Sequence, residues 1–556
     1  MGVVVSFVVS RLLLVFAYFL ILPSRALGEY APPIISQYQH AFTGEPHKVA
    51  LLRGSLDPVR SFKNKQTAKS TSTNAVEHIT IVMVGDTGYA PSRAKPNARG
   101  VAKHDSWFSF PQTTRRIASQ INGDINFANV ETVVSDKRNL RPISKKYNFV
   151  THPNGLVHLA KEGFNLFSLA NNHSFDYGAR GIRETLSHMA KVNNLAFAGI
   201  GLNQDQAALT PVFERRNTRF AFGAIGIGAG GGGIQRATSK RPGQLNLNNS
   251  RDVQKLMKNL RSSPADYRIL SVHRGRERVI CPTANEISSI RNRMLDQGDV
   301  DLFIGHHAHV ARGLELNKGR LIIYGLGNFL HHGTANMAGK GGCQDYSILV
   351  RVHLVRQGKE KPRLAAIEVV PLTQTHMQTR PMAPRAAARR IAILNGLARQ
   401  FDRPREGAKG VRFVAQSDGS GLYCDSPAKT HLATARLCGN FRSSQLASNV
   451  NYQRALSSCG RRGQPQMIAR AVGVKKRIKV ATVSVSKTAA YSLIQSVKTR
   501  NHKSNKSIQT IDKKQNTKET YAQKRARWRR KDYTDEEVAA WKRHIARKRA
   551  RRRNRG

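Results

Sequence analysis

The chain has 556 residues, with 91 Lys and Arg against 35 Asp and Glu and a formal net charge of +56. With 40% hydrophobic residues it is long and apolar enough to bury a large core, which excludes a wholly disordered protein. Its five cysteines form no C-x-x-C pair, which speaks against a zinc ribbon. The basic excess points to a polyanionic partner: nucleic acid, anionic lipid, envelope phosphate or an acidic polymer.

Taken in chain order, Arg11 precedes an apolar run, Leu12 to Leu22, and Ala26-Leu27-Gly28 follows as a small-x-small pattern. This resembles a secretory signal over residues 1–28. Residues 2–22 read as one span would instead be an uncleaved anchor, and Arg11 in mid-span argues for the signal. Either way the chain is expected to be exported, to a periplasmic or extracellular face. Residues 29–77 are polar and read as a linker. From His78 to about Leu372, strand and helix patterns alternate. Strands are expected at 78–84, 125–129, 166–170, 220–227, 268–272, 300–304 and 321–324, with two later β runs at 347–354 and 365–370. Helices are expected at 111–121, 153–162, 179–193, 250–260 and 282–296. Such alternation implies a layered α/β fold. Residues 376–465 form a C-terminal extension with a helix over 385–399, and Cys424, Cys438 and Cys459 lie close enough in sequence for a disulfide whose pairing the spacing leaves open. Residues 466–556 hold 28 Lys and Arg against 6 Asp and Glu and read as a largely disordered basic tail. Within it, Thr534-Asp535-Glu536-Glu537 is a capping box that opens a short helix over 534–550.

Five loops follow strands and carry metal-ligand chemistry. They are Gly85-Asp86-Thr87-Gly88, Asn129-Val130-Glu131, Asn171-Asn172-His173 with Asp176, His273-Arg274-Gly275-Arg276-Glu277, and Gly305-His306-His307-Ala308-His309. Open α/β sheets place their sites where strands end. Alone, Gly-Asp is a common turn, and Asn171 could be a helix cap. Together, two carboxylates, an amide and several imidazoles suit one or two divalent transition-metal ions, Mn, Fe or Zn. Paired metals make a hydroxide at neutral pH and clamp a phosphoryl or acyl oxygen. Gly228 to Gly233 lacks the Lys-Ser/Thr of a P-loop, so nucleotide binding is not expected.

In this order, and with Tyr324-Gly325-Leu326-Gly327-Asn328-Phe329 as a sixth motif, the set resembles the CapA family of poly-γ-glutamate capsule synthesis proteins over roughly residues 78–375. That family is similar to the calcineurin-like metallophosphatases. The resemblance therefore implies an α/β/β/α sandwich and an envelope role in making or exporting an anionic polymer. It implies Asp86 as ligand of a first metal, Glu131 as the bridge, Asn172 on the second metal, and His273, His306 and His309 as nitrogen ligands. His173 is implied as the acid or the stabiliser of the leaving oxygen, oriented by Asp176. Arg274, Glu277 and Asn328 are expected to bind substrate. Two departures stand out: Gly88 occupies a position where the phosphatases have a ligating histidine, and Arg274 one where most relatives have Trp. His307 has no clear family role and reads as loop or as a residue packed behind the ligands. The expected partners are an anionic polymer such as poly-γ-glutamate, inner-membrane capsule synthesis proteins, and an anionic membrane surface through the basic tail. Nucleic acid is not expected for an exported chain. An envelope phosphoesterase or amidase, and a non-catalytic polyanion-binding protein, are the competing readings.

The export expectation has a direct check. A reporter fused after residue 40 should be active only outside the cytoplasm, and activity of an export-silent reporter inside the cell would refute it.

Overall fold

The computed structural model describes residues 75–103, 106–228, 234–337 and 343–447. The chain divides into two units, 1–474 and 475–556, and every described residue belongs to the first. The expected signal segment and linker up to residue 74, Cys459, and the basic tail with the helix expected at 534–550 lie outside the described residues.

The main strands are β1 (Val76–Gly88), β2 (Ile125–Val130), β3 (Leu166–Ser168), β4 (Ala196–Ala198), β5 (Val212–Arg215), β6 (Thr218–Gly226), β7 (Tyr267–His273) and β8 (Leu302–His306). After them come β9 (Leu314–Asn317), β10 (Arg320–Ile323), β11 (Asn328–His331), β12 (Ser347–Gln357), β13 (Arg363–Thr373), β14 (Ala408–Gly410) and β15 (Gly421–Cys424). They form two large mixed sheets. One runs β15-β13-β12-β1-β2-β3-β4, with β11 beside β1 and short edge strands at Val414–Ala415 and Arg380–Pro381. The other runs β5-β6-β7-β8-β10-β9-β14.

Side-chain alternation stacks the layers. On β1, Ile79, Ile81 and Met83 face one way, and Val82 and Val84 the other. The first set meets Phe220, Phe222, Ile269, Ile304 and Ile323 of the second sheet, so the two sheets share an inner core. Phe127 of β2 touches Phe222 of β6 edge-on across that core, with ring centroids 6.0 Å apart. A fully buried side chain of this size contributes roughly 1.5–3 kcal/mol by leaving water. The outer faces are covered by helices: α1 (Pro153–Lys161) and α2 (Gly178–Met189) on the first sheet, α3 (Ser250–Ser262) on the second. Val253, Leu256, Met257 and Leu260 of α3 recur at helical spacing and are all buried. The expected layered α/β architecture is what the structure has, as helix, sheet, sheet, helix. No helix among the described residues is long and apolar enough to cross a membrane.

β1, β2, β3 and β4 are mutually parallel, as are β6, β7, β8 and β10. Parallel strands end on one edge, and the loops expected to carry chemistry all leave from such ends.

Three elements differ from the sequence reading. The helix expected over 111–121 is a short helix, Phe110–Thr114, and then a 3₁₀ turn, Ala118–Gln120. The Thr113 and Thr114 hydroxyls donate to the carbonyls of Phe110 and Pro111, competing with helical bonding there. The segment expected at 282–296 is helical from Ala284, opened by a Thr283–Glu286 capping box, with a π-helical stretch at Ile290–Leu295. Residues 376–447 are built into the same body. The helix α4 (Pro384–Ala398) buries Ile391, Ile393, Leu394 and Leu397 in the inter-sheet core. β14 pairs with β9 and β15 with β13, so this segment adds an edge strand to each sheet. A disulfide joins Cys424 to Cys438, and Cys281 is a buried free thiol.

Ending the chain after residue 375 should therefore expose the inter-sheet core and abolish cooperative thermal unfolding. Ending it after residue 465 should leave the transition in place. Circular dichroism melts of the two truncations check this, and a cooperative transition in the shorter chain would contradict it.

Candidate metal centre

Asp86 and Glu131 are the centre's two carboxylates, and both are fully buried. Asp86 sits near the end of β1 as the register partner of Asn129 on β2 and of Asn328 on β11. Its position needs close strand packing. A Cβ on Gly85 would stand 1.9 Å from the Gly327 carbonyl oxygen, and the Asp86 N–H donates to that same oxygen at 3.0 Å. Asn129 Nδ2 donates to Asp86 Oδ1 at 2.8 Å, and the His307 N–H donates to Asp86 Oδ2 at 3.2 Å.

The nitrogens come from the second sheet. His273 ends β7 opposite His306 at the end of β8. His307 and His309 follow in left-handed backbone, at φ 81° and 56°. That conformation costs of order 1–3 kcal/mol per non-glycine residue and is held only where the surroundings enforce it. Here it brings both imidazoles to the carboxylates.

The donors fall into two groups that share Glu131. Glu131, His273 and His307 offer atoms all within 4.8 Å of one another, and so do Asp86, Glu131 and His309. In the first group, His273 Nε2 is 2.7 Å from Asn172 Oδ1, 3.0 Å from His307 Nδ1 and 3.3 Å from Glu131 Oε1. Four lone-pair atoms thus converge with at most two protons among them, one per imidazole. Glu131 Oε1 is buried without a hydrogen-bond partner. A cation fits that arrangement and the mixed N/O donor set suits a transition metal. In the second group, His309 Nδ1 lies 3.3 Å from Asp86 Oδ2 and 3.9 Å from Glu131 Oε2.

Electrostatics point the same way. Burial and the neighbouring Glu131 push the Asp86 carboxyl up, but the His306, His309 and His273 imidazoles outweigh them and hold it well below the usual carboxylate range. Burial likewise raises Glu131, and His309, His273 and His331 more than reverse it. Burial would lower the His309 imidazole, yet Glu131, Asp86 and Glu277 push it up to about 10. His307 is driven down to about 3 by burial and by the charges of His273 and His309. The metal-free centre thus holds two carboxylates whose charge a proton on His309 offsets only in part.

Beside this lies a second cluster. His173 Nδ1 is 2.8 Å from Asp176 Oδ2, and His173 Nε2 is 4.0 Å from Glu131 Oε1. Burial lowers the His173 imidazole and Asp176 partly offsets it. Lys145 pairs with Asp176 and donates to the Asn172 carbonyl at 2.6 Å, which ties this pair to the metal group.

The structure brings Asp86, Glu131, Asn172, His273 and His309 together. His306 is adjacent, with Nδ1 3.3 Å from Asp86 Oδ1 and its ring tilted against Phe127. His307, read as loop or as a residue behind the ligands, lies inside a donor group. Its spacing of two residues from His309 was the available signal. Asn328 is close, its Oδ1 2.7 Å from His309 Nδ1, and Glu277 acts on His309 through its charge. Arg274 goes elsewhere: it lines a separate cavity of about 230 Å³ with Asn248, Ser289, Arg293 and Met294. Consecutive residues at a strand end point to opposite faces, so when His273 faces the centre Arg274 faces the outer helices. Lys145 and His331 carried no motif and were missed.

Residues 80–332 match the model of the family described as bacterial capsule synthesis protein PGA_cap. That segment is similar to the PGA_cap family. All the residues of the centre lie within it. The chain is 28% identical over 265 residues to the capsule biosynthesis protein CapA of Bacillus anthracis, covering 47% of this chain and 61% of that protein. It is 26% identical over 267 residues to the PGA biosynthesis protein CapA of Bacillus subtilis strain 168, covering 48% and 65%. It thus spans less than two thirds of either. A probable polyglutamine synthesis accessory protein of Mycobacterium tuberculosis is 23% identical over 312 residues, covering 53% and 76%. Among solved structures, a putative 5'-nucleotidase from Staphylococcus aureus aligns at 15% identity and a TM-score of 0.32, covering 54% of this chain and 55% of that one.

Because a metal takes the His309 lone pair, ion uptake must displace the proton held there. Affinity should therefore rise with pH towards about 10, and uptake should release protons. Calorimetric titration with Zn²⁺ in buffers of different ionisation enthalpy reads this directly; an uptake without proton release at pH 7 would contradict it. Glu131→Gln should lower affinity in both donor groups.

Proposed function

We propose that this chain is an envelope protein of poly-γ-glutamate capsule biosynthesis or export, carrying a two-ion, hydrolase-type metal centre. The observation that carries the reading is Glu131, whose two oxygens face two different sets of nitrogen donors within a PGA_cap segment. Asp86, Glu131 and His309 would hold one ion, and Glu131, Asn172, His273 and His307 the other. Ions bound there would supply a hydroxide at neutral pH and Lewis acidity toward an acyl or phosphoryl oxygen.

The chain's own residues account for the rest. Asp176 accepts from His173 Nδ1, which leaves His173 Nε2 directed toward Glu131 and able to take or return a proton. Lys145 balances the Asp176 charge and, through the Asn172 carbonyl, keeps the histidine loop in register with the donor group. Asn328 and Glu277 stand on the His309 side, where an incoming chain would meet the centre. The 28 Lys and Arg of residues 466–556 would draw an anionic polymer or an anionic membrane to the protein, and the export signal would place it in the envelope.

The His173–Asp176 pair favours a second reading, in which hydrolysis by a metal-dependent amidase or phosphoesterase is the whole task. The two readings separate by substrate. Purified full-length protein should contain metal on either reading; it should act on the γ-glutamyl bonds of polyglutamate on the first, and on simple amides or phosphoesters but not polyglutamate on the second. His173→Asn should reduce either turnover by ~10²–10⁴-fold while metal content stays unchanged. A chain that binds polyglutamate but hydrolyses nothing, with or without metal, would leave only a binding role. A chain ended after residue 465 should keep its metal and bind polyglutamate more weakly at low salt; equal binding would show that the tail is not the polyanion site.

A further inference from the structure

His331 is a buried imidazole that, like His306, the two donor groups leave out. It ends β11, which runs parallel to β1, and it is the register partner of Gly88, a residue with no side chain to offer. An ordinary strand would not turn it inward. Asn328 pairs with Asp86, and three residues later a regular strand would face the opposite side. The β1–β11 register slips by one residue between these pairs, and Leu330 adopts φ 51°. The extra residue is a bulge: Phe329 and Leu330 both go to the outer core, and His331 returns to the face of Asn328.

There its Nε2 lies 3.0 Å from Glu131 Oε2. Its ring meets that of His309 edge-to-face, with centroids 5.7 Å apart. The residue is 1% exposed, and its Nδ1 has no hydrogen-bond partner. Burying an imidazole with one nitrogen unpaired is unfavourable, and an apolar side chain would avoid it. The distance is informative. With metal–ligand lengths of about 2.0–2.2 Å, two donors on one ion stand about 3–3.5 Å apart. The pairs Asp86–His309 at 3.3 Å and Glu131–His331 at 3.0 Å both have that spacing.

We propose that His331 is a nitrogen ligand on the Asp86 side of the centre, joining Asp86, Glu131 and His309. The inference rests on the metal-centre reading above and extends it. Each Glu131 oxygen then faces its own nitrogens, His273 on Oε1, and His309 and His331 on Oε2.

The test is metal binding by the full-length protein, read by elemental analysis and by titration with Zn²⁺. Wild type should bind the ion. His331→Phe and His331→Gln should each lower affinity in one class of sites by ~tenfold or more. Metal-free melting curves report whether each variant keeps its fold. The glutamine variant separates a ligand from a support, because its amide still donates to Glu131 but replaces an imidazole poorly as a ligand. Wild-type affinity in His331→Gln would overturn the proposal, leaving His331 as a hydrogen-bond partner of Glu131. With Co²⁺, loss of a nitrogen donor should shift the visible absorption bands of the variants, and unchanged bands would also overturn it. A wild-type chain that takes up no ion would instead overturn the metal-centre reading itself.

Discussion

Asp86 and Glu131 sit without solvent contact at the seam where the ends of two sheets meet, and the surrounding structure is arranged around their charge. Taking a carboxylate out of water costs several kcal/mol even after relaxation, and two of them side by side also repel one another. Only cations or many donors can balance that. The second sheet supplies His273, His307 and His309, the first supplies Asn129, and β11 supplies His331. The strained features of the region, left-handed His307 and His309 and the bulge at Leu330, all bring imidazoles toward these two side chains.

This makes the centre a consequence of sheet packing. Neither sheet contains a complete donor group. Asp86 and Glu131 belong to one sheet and His273 to the other, and the shared apolar core through Phe127 and Phe222 holds them in register. The segment after residue 375 belongs to the same mechanical unit, because α4 closes the inter-sheet core and β14 and β15 cover sheet edges.

Charge sets up a contrast between the centre and the rest of the molecule. The chain as a whole is strongly basic, at +56, while the centre is anionic until cations occupy it. An acidic polymer would be drawn to the surface and repelled by bare Asp86 and Glu131. Neutralising those two groups is therefore a precondition for chemistry on an anionic substrate, and it links the composition of the chain to the donor set of its site.

The sequence by itself determined the layered α/β architecture, the central strands of both sheets, and the loops that carry Asp86, Glu131, Asn172, His173, His273 and His309. Those are local facts: hydrophobic period, buried apolar runs, and polar residues placed where strands end. Only the tertiary structure decided which of three clustered histidines faces Glu131, because that depends on left-handed backbone at His307 and His309 enforced by packing. It alone sent Arg274 away from the centre, by strand alternation beside His273. It alone brought in Lys145 and His331, which are distant in sequence and carry no motif. Short edge strands such as β9 and β14 were illegible for a related reason: their pairing is with distant segments, and a few residues of local pattern do not encode a partner.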